Sequence, residues 1–306
     1  MTTLSIVIAV KDAAANLDTI VTRLCAVPED VEIIFAVAGE MPSAVNDLPA
    51  GWTVHSAPTG TLIPYLWANG IREARGDWVA LTTAQCIPAA DWVQRLLTLD
   101  RTGRVAVGGA LANDEAASAL NWAIYFLRYS AFMPQGTAGI RDEIAADNAL
   151  YNRAAILRYP DLLAGGFWEP SFHAKFRAGG DVLAFDPTLI VEHHGLVTGP
   201  AFAQQRFAHG CEYGRARSRG QSAWRKVALL VASPMVPLVL WFRIRSRIAY
   251  DGNYSGKFRK AAPWLIVLIL AWSLGEALGY VIGLLPFSFN VDKQLGKGSD
   301  SMEHNQ

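Results

Sequence analysis

Apolar residues fall along the first part of this chain in short runs that alternate with stretches of helical spacing. Leu4–Val10 (LSIVIAV) and 31–37 (VEIIFAV) are near-continuous apolar runs of strand length, which predicts strands buried on both faces. Between them Leu17, Ile20, Val21 and Leu24 recur at the three- and four-residue intervals of a helix. A short strand follows at 52–57 (WTVHSA). Next come a helix through LIPYLWANGIREARG, stopped at Gly76, and the strand DWVALTT. Strand and helix taking turns predicts an α/β fold, a mostly parallel sheet with helices on both faces. Sheets of this kind bind ligands at the carboxyl ends of their strands, which directs attention to 10–13, 38–40 and 82–86.

Composition changes the picture mainly at the far end. Of 306 residues 52% are hydrophobic, and the surplus collects beyond Trp224. VALLVASPMVPLVLWF (227–242) and PWLIVLILAWSLGEALGYVIGLLPF (263–287) are nearly free of charge, which predicts a C-terminal helical region in or on a membrane. The first run has 16 residues, with Pro234 and Pro237 inside it. As a helix it would be roughly 24 Å long, short for a bilayer core, and it reads as re-entrant or interfacial. The second is long enough to span, and Glu276 within it should face protein or a polar group. Six basic residues in 201–226 and six in 243–260 place both flanks of the first run on the cytosolic side; two plain spans are the competing arrangement. The expected organisation is a first domain at 1–222, a membrane-associated region at 223–290 and a polar tail at 291–306. A formal net charge of zero gives no argument for nucleic acid as a partner. Cys25, Cys86 and Cys211 are too far apart for a zinc knuckle and odd in number for a disulfide framework. The start MTTLSIVIAVKD has no basic leading segment and reads as a strand, not a secretory signal.

The candidate chemistry lies in five stretches. No GxGxxG or GxxxxGK[ST] follows the first strand, which argues against dinucleotide and P-loop binding. ALTTAQCIPAADW (80–92) ends a strand yet holds no carboxylate before Asp91; Thr82, Thr83 and Gln85 offer neutral oxygens, weak partners for a hard cation. Cys86 there reads as a small buried residue, and Asp91 with Trp92 as the start of a helix. DNALYNRAAIL carries Asp147, Asn148 and Arg153, with Asn152 suited to an N-cap. In GGFWEPSFHAKFRAGG a helix is predicted over 170–178, with Phe172 and Phe176 on its core face and Glu169, His173 and Arg177 on another. Glu169 is the one carboxylate of that segment, and either helix capping or proton transfer would account for it. DPTLIVEHHG ends a strand in His193 and His194, and QQRFAHGCEYGRARSRG leads Arg206, Arg215, Arg217 and Arg219 toward the apolar region. Arginines in that position suit a diphosphate or anionic lipid headgroups.

In order and spacing these segments, from LSIVIAVKDAAANL through AFDPTLIVEHH to QQRFAHGCEYGRARSRG, resemble the family 2 inverting glycosyltransferases of GT-A fold over about Leu4 to Gly220. The apolar tail is similar to that of bacterial membrane-associated members. The resemblance implies an enzyme that transfers a sugar from a nucleotide-sugar donor to a lipid-linked or glycan acceptor, at the cytosolic face of a bacterial inner membrane. It implies donor contacts at Ala9, Val10, Lys11 and Asp12, around Thr82, Thr83 and Gln85, and at Arg206. It implies an acceptor side at Asp147, Asn148 and His173, a catalytic base at Glu169, and His193 as a ligand of a metal or diphosphate. A divalent cation, Mg2+ or Mn2+, belongs to the family pattern, but TTAQC stands where an acidic motif would bind it, and FAVAGE leaves Glu40 as the carboxylate nearest the base-reading position. QQRF shares only part of the processive QxxRW motif. A non-catalytic membrane protein that keeps the fold for binding or assembly is the alternative.

Overall fold

The computed structural model of the chain describes residues 4–11, 14–25, 27–40, 42, 48–49, 51–195, 198–249 and 252–284. Among them nine strands form one sheet: β1 (Leu4–Val10), β2 (Val31–Ala38), β3 (Thr53–Ala57), β4 (Trp78–Thr83), β5 (Cys86–Pro88), β6 (Ala106–Asn113), β7 (Gly139–Arg141), β8 (Asn148–Asn152) and β9 (Leu183–His193). Their order is β3-β2-β1-β4-β8-β6-β9-β5, with β7 on β9. The α/β class and the helices on both sides agree with the sequence pattern. The sheet is mixed, however. From β3 to β4 every pairing is parallel, whereas β8 runs antiparallel to both β4 and β6, and β5 and β7 run antiparallel to β9. Parallel order follows from helical crossovers, and it lapses where β7 and β8 enter the sheet with no crossover helix between them.

The reversal of β8 positions the site. Because β8 opposes β4, its first residue Asn148 lies across from Thr82, at the carboxyl end of β4. His193 closes β9 opposite both Cys86 and Asn113. Three segments far apart in sequence therefore meet on one edge.

Local patterning explains most elements. The helix Leu17–Leu24 buries Leu17, Ile20 and Leu24, one face of its 3.6-residue repeat. The helix Glu169–Ala178 starts one residue before the predicted span, carries Pro170 in its first turn and ends at Gly179; Phe172 and Phe176 are fully buried. With Val7, Ile34, Leu66, Ile71 and Leu81 they form the core beneath the sheet. Asn152 caps the next helix by accepting from the Ala155 N–H at 2.9 Å. MPQGTAGIRDE reads as a loop, but part of it is β7, where Arg141 packs over the Phe185 ring.

The helix after β3 ends at Glu73, short of Gly76. Gly76 instead makes room for a neighbouring strand. Its N–H donates to Ser5 Oγ at 2.9 Å, and a Cβ there would lie 2.6 Å from Ser5 N. Ser5 Oγ in turn donates to Glu32 Oε2 at 2.6 Å, while the Arg75 N–H and Nε reach the same carboxylate at 2.8 Å each. A buried charge inside an apolar strand is thus fully met by donors.

The chain forms two compact units. One comprises Met1–Thr198 with Ile244–Leu265; the other comprises Gly199–Arg243 with the described residues from Ile266 on. In the first, Tyr254 and Phe258 join the aromatic cluster of Trp122 and Phe126, and Lys257 Nζ sits 4.3 Å from the Trp122 ring centre. In the second, the helix Gly199–Ser218 meets the end of the helix Ser255–Leu284 through glycines; a Cβ at Gly275 would lie 2.0 Å from Phe207 O, and at Gly210 2.2 Å from Trp272 O. Glu276 is buried there, accepting from Tyr280 Oη at 2.6 Å and Trp272 Nε1 at 3.2 Å.

Ala223–Ile248 (26 residues, mean hydropathy 2.0) and Ser255–Leu284 (30 residues, mean hydropathy 2.1) are each long and apolar enough to cross a membrane. The first is longer than its apolar run because polar flanks continue the helix around a 3-10 turn at Ser233–Met235. At 1.5 Å per residue it measures about 39 Å.

Replacing Glu32 by Ala should cost on the order of 2 kcal/mol or more, because Ser5 and Arg75 lose a buried acceptor. Arg75→Ala, which removes an exposed partner and keeps the backbone donor, should cost under about 1 kcal/mol. Thermal midpoints of the two variants check the order.

Candidate active site at the strand ends

At the end of β1, Ala9 and Val10 are buried, and the Ala9 carbonyl accepts from the Ala84 N–H at 2.9 Å, which closes the turn after β4 against β1. Lys11 follows, part-exposed; Asp12 lies outside the described residues. Thr82 and Thr83 are buried. The Thr82 carbonyl accepts from Trp67 Nε1 at 2.8 Å, and among the described residues its Oγ1 has no hydrogen-bond partner. Gln85 is part-exposed, and its carbonyl accepts from the His194 N–H at 2.7 Å. Asn148 is fully buried: its amide donates to Ala110 O at 2.8 Å and Leu189 O at 2.9 Å, and accepts from Trp92 Nε1 at 2.8 Å. Its side chain works as a cross-link of the sheet.

Asp147, one residue earlier, faces charge instead. Its Oδ1 lies 3.5 Å from a guanidinium nitrogen of Arg128, on the helix Ala119–Tyr129. Tyr129 sits beside it, with Arg128 over its ring at 4.8 Å. His193 closes the group, buried, its ring edge-on to Tyr129 at 5.2 Å and its Nδ1 3.4 Å from Asn113 Oδ1. Burial, then the positive field of Arg128 and of His194, pushes His193 down to about 3, so the imidazole is neutral at ordinary pH. Burial likewise pushes the Cys86 thiol up, and it is a protonated, inert wall of the site. For Arg128 burial opposes the charge, but the carboxylate of Asp147 beside it keeps the guanidinium protonated.

Glu169 begins its helix next to this cluster. The side chain is part-buried, and Oε1 accepts from the Ala146 N–H at 2.5 Å. Burial, with Asp147 and more weakly Glu143 as like charges, raises its pKa to about 7 against the opposing pull of Ala146 and Arg128. A carboxyl group poised there can take a proton near neutral pH.

His173 engages both of its ring nitrogens away from Glu169. It is fully buried, with Nε2 3.0 Å from the Tyr151 hydroxyl and Nδ1 2.6 Å from Glu143. Arg177 holds the other Glu143 oxygen at 2.9 Å. The segment 143–146 is thereby fastened to the helix at two places, by Glu143 and by the Ala146 N–H. Arg206 belongs to the second unit, where it stacks over the Trp272 ring at 4.2 Å.

Arg128, Tyr129 and Glu143 were not among the residues that the sequence singles out. The signal for Arg128 is a lone charge in the apolar stretch WAIYFLRY; Glu143 has none. The donor set tests the divalent cation implied by the resemblance. Mg2+ and Mn2+ need several oxygen ligands, preferably anionic. Among the described residues no three His, Cys, Asp or Glu side chains converge to hold a metal. Thr82 and Thr83 are enclosed by the sheet, and Asp147 is paired with Arg128. These side chains do not make a metal cage.

No family model and no curated protein sequence matches the chain. Among solved structures it is similar to the mannosyltransferase PcManGT from Pyrobaculum calidifontis, determined in complex with GDP-Man and Mn2+, at TM-score 0.52 and 13% identity over 89% of this chain and 86% of that one. A mycobacterial protein follows at TM-score 0.47 and 16% identity, covering 68% of this chain and 73% of that one. The first likeness shows the fold, a GT-A-type glycosyltransferase-like α/β domain followed by two apolar helices that could span a membrane.

Proposed function

We propose that this chain is a membrane-attached inverting glycosyltransferase of the family 2 type. It would move a sugar from a nucleotide-sugar donor to a lipid-linked or membrane-proximal acceptor at the cytosolic face of a bacterial inner membrane. The observation that carries the reading is Glu169, a carboxyl group raised to about 7 beside a fixed guanidinium at the carboxyl edge of the sheet. In the reaction an acceptor hydroxyl attacks the anomeric carbon while Glu169 takes its proton. The bond from that carbon to the diphosphate breaks, and its electron pair leaves with the nucleoside diphosphate. One displacement inverts the centre. The neighbour's complex with GDP-Man makes GDP-mannose the first donor to test. The enclosed Thr82 and Thr83, which present no anionic ligand, favour the second reading, a non-catalytic protein that binds a nucleotide on the same fold.

Glu169→Gln should lower turnover about 10²-fold or more while donor affinity, read by calorimetry, stays unchanged. Unchanged turnover in the variant would remove Glu169 from the chemistry. For the wild type, kcat/KM should rise with pH and level off above about 7, where the base is ionised.

The same shift predicts a stability effect. The folded pKa lies above the ordinary value of 4.5, so between 4.5 and about 7 the unfolded chain loses its proton first and stability falls as pH rises. Glu169→Gln abolishes that loss. Its thermal midpoint, relative to wild type, should therefore be higher at pH 8 than at pH 4.5.

A further inference from the structure

The strand-end cluster holds a positive charge that the proton transfer above does not use. Arg128 reaches the site from the helix Ala119–Tyr129, and its side chain keeps 30% of its surface exposed. A guanidinium carries five N–H donors in a planar fork. Among the described residues its polar contact is the ion pair with Asp147 at 3.5 Å, so most of the fork is unengaged. The atoms around it are short of partners too. Among the described residues Thr82 Oγ1, across the β4–β8 pairing, and Asn113 Nδ2, next to His193, are buried without a hydrogen bond, while Asp147 Oδ1 and the Tyr129 hydroxyl have only each other and Arg128 to turn to. Buried polar atoms are nearly always satisfied in a folded protein, by protein, water or ligand. Two orphans and a loosely held carboxylate–phenol pair at one sheet edge, around an arginine with most of its donors unengaged, mark a place where a polar ligand completes the structure.

The ligand's charge follows from the groups present. Arg128 is a permanent cation at this edge, and among the described residues there is no metal cage. A diphosphate has oxygens on two tetrahedra, which a planar fork can grip through paired N–H bonds. We infer that Arg128 is the resident cation of the donor site, receiving the diphosphate of the nucleotide sugar in place of a protein-held divalent metal. The inference rests on the nucleotide-sugar reading of the site. Asp147 then positions the guanidinium from its buried side and leaves the exposed N–H groups for the phosphate oxygens. During transfer the charge that gathers on the departing diphosphate meets a cation already in place, in a setting of low polarity. The departure of TTAQC from an acidic motif becomes intelligible: with Arg128 fixed nearby, carboxylates at Thr82 to Cys86 would neutralise the cation and repel the ligand.

The experiment is calorimetric titration of the full-length protein in detergent with GDP, GMP, UDP and UMP, each in EDTA and again in Mn2+. Arg128→Gln alone strands a buried carboxylate and could unfold the site, so the main variant is Arg128→Gln with Asp147→Asn, and Arg128→Lys is the conservative companion. One diphosphate should bind wild type in EDTA within about threefold of its affinity in Mn2+. The double variant, with a preserved thermal midpoint, should lose that binding about tenfold or more and the matching monophosphate less than about threefold. Arg128→Lys should fall between, keeping charge and losing the fork. Diphosphate binding that needs Mn2+, or that survives in the double variant, overturns the inference and leaves the proposed function standing. No binding of any nucleotide to folded wild type in either medium overturns both.

Discussion

The Asn148 side chain joins three strands and a helix at one point, through two carbonyls, one on β6 and one on β9, and the indole N–H of Trp92. This is possible because the backbone is bare there: a Cβ at Gly109 would lie 2.3 Å from the Asn148 amide nitrogen and 2.4 Å from Leu189 O. The carboxyl edge of the sheet depends on this knot. β8 runs against both of its neighbours, so regular helical crossovers do not determine where it begins; a buried amide with all its hydrogen bonds made does. Once Asn148 is seated, Asp147 must lie beside the end of β4, and the segment before it must pass the start of the helix that carries Glu169.

Charge at this edge is arranged by burial as much as by pairing. Asp147 and Glu169 are close enough that ionising one disfavours ionising the other, and Arg128 relieves only part of the strain. The result is a division of labour between two carboxyl groups of similar intrinsic acidity: one is paired with the guanidinium, the other waits near neutrality. Glu143 illustrates the opposite balance. Burial would raise it, but His173 and Arg177 outweigh that and hold it below the usual carboxylate range. It can therefore serve as a permanent anionic clip, keeping the segment 143–146 against the helix whose first residue is Glu169.

What could be read in the chain and what could not divides along physical lines. Strands and helices up to β4 were legible because burial on one or two faces leaves a local period. The helix with Phe172 and Phe176 was legible for the same reason, with Pro170 and Gly179 as punctuation. Gly76 misled because a glycine after a helical pattern usually ends the helix, whereas this one makes room for Ser5. The antiparallel entry of β8 could not be read, since its register is set by partners from residue 92 to residue 189. Arg128 was hidden by its surroundings: a single charge among aromatic and aliphatic neighbours reads as a core helix until the fold shows what faces it. The site roles implied by the family resemblance rest on segments brought together by this non-local pairing, and the sequence by itself could not show that they meet.

The pairing of β6 with β9 slips at one place, where Gly109 lies opposite Asp186 but Ala110 lies opposite Ile190, so that Pro187, Thr188 and Leu189 bulge out of register. Side chains alternate between the faces of a strand, and any odd change in the length of such a bulge exchanges the two faces beyond it. Here the residues beyond the bulge end in His193 and His194. A slip of one residue in one direction would bring His194 opposite Asn113 in place of His193, whereas a slip in the other would bring Glu192 there. The doubled histidine therefore buffers this corner against a slip in one direction only; a slip in the other would exchange a neutral imidazole for a carboxylate.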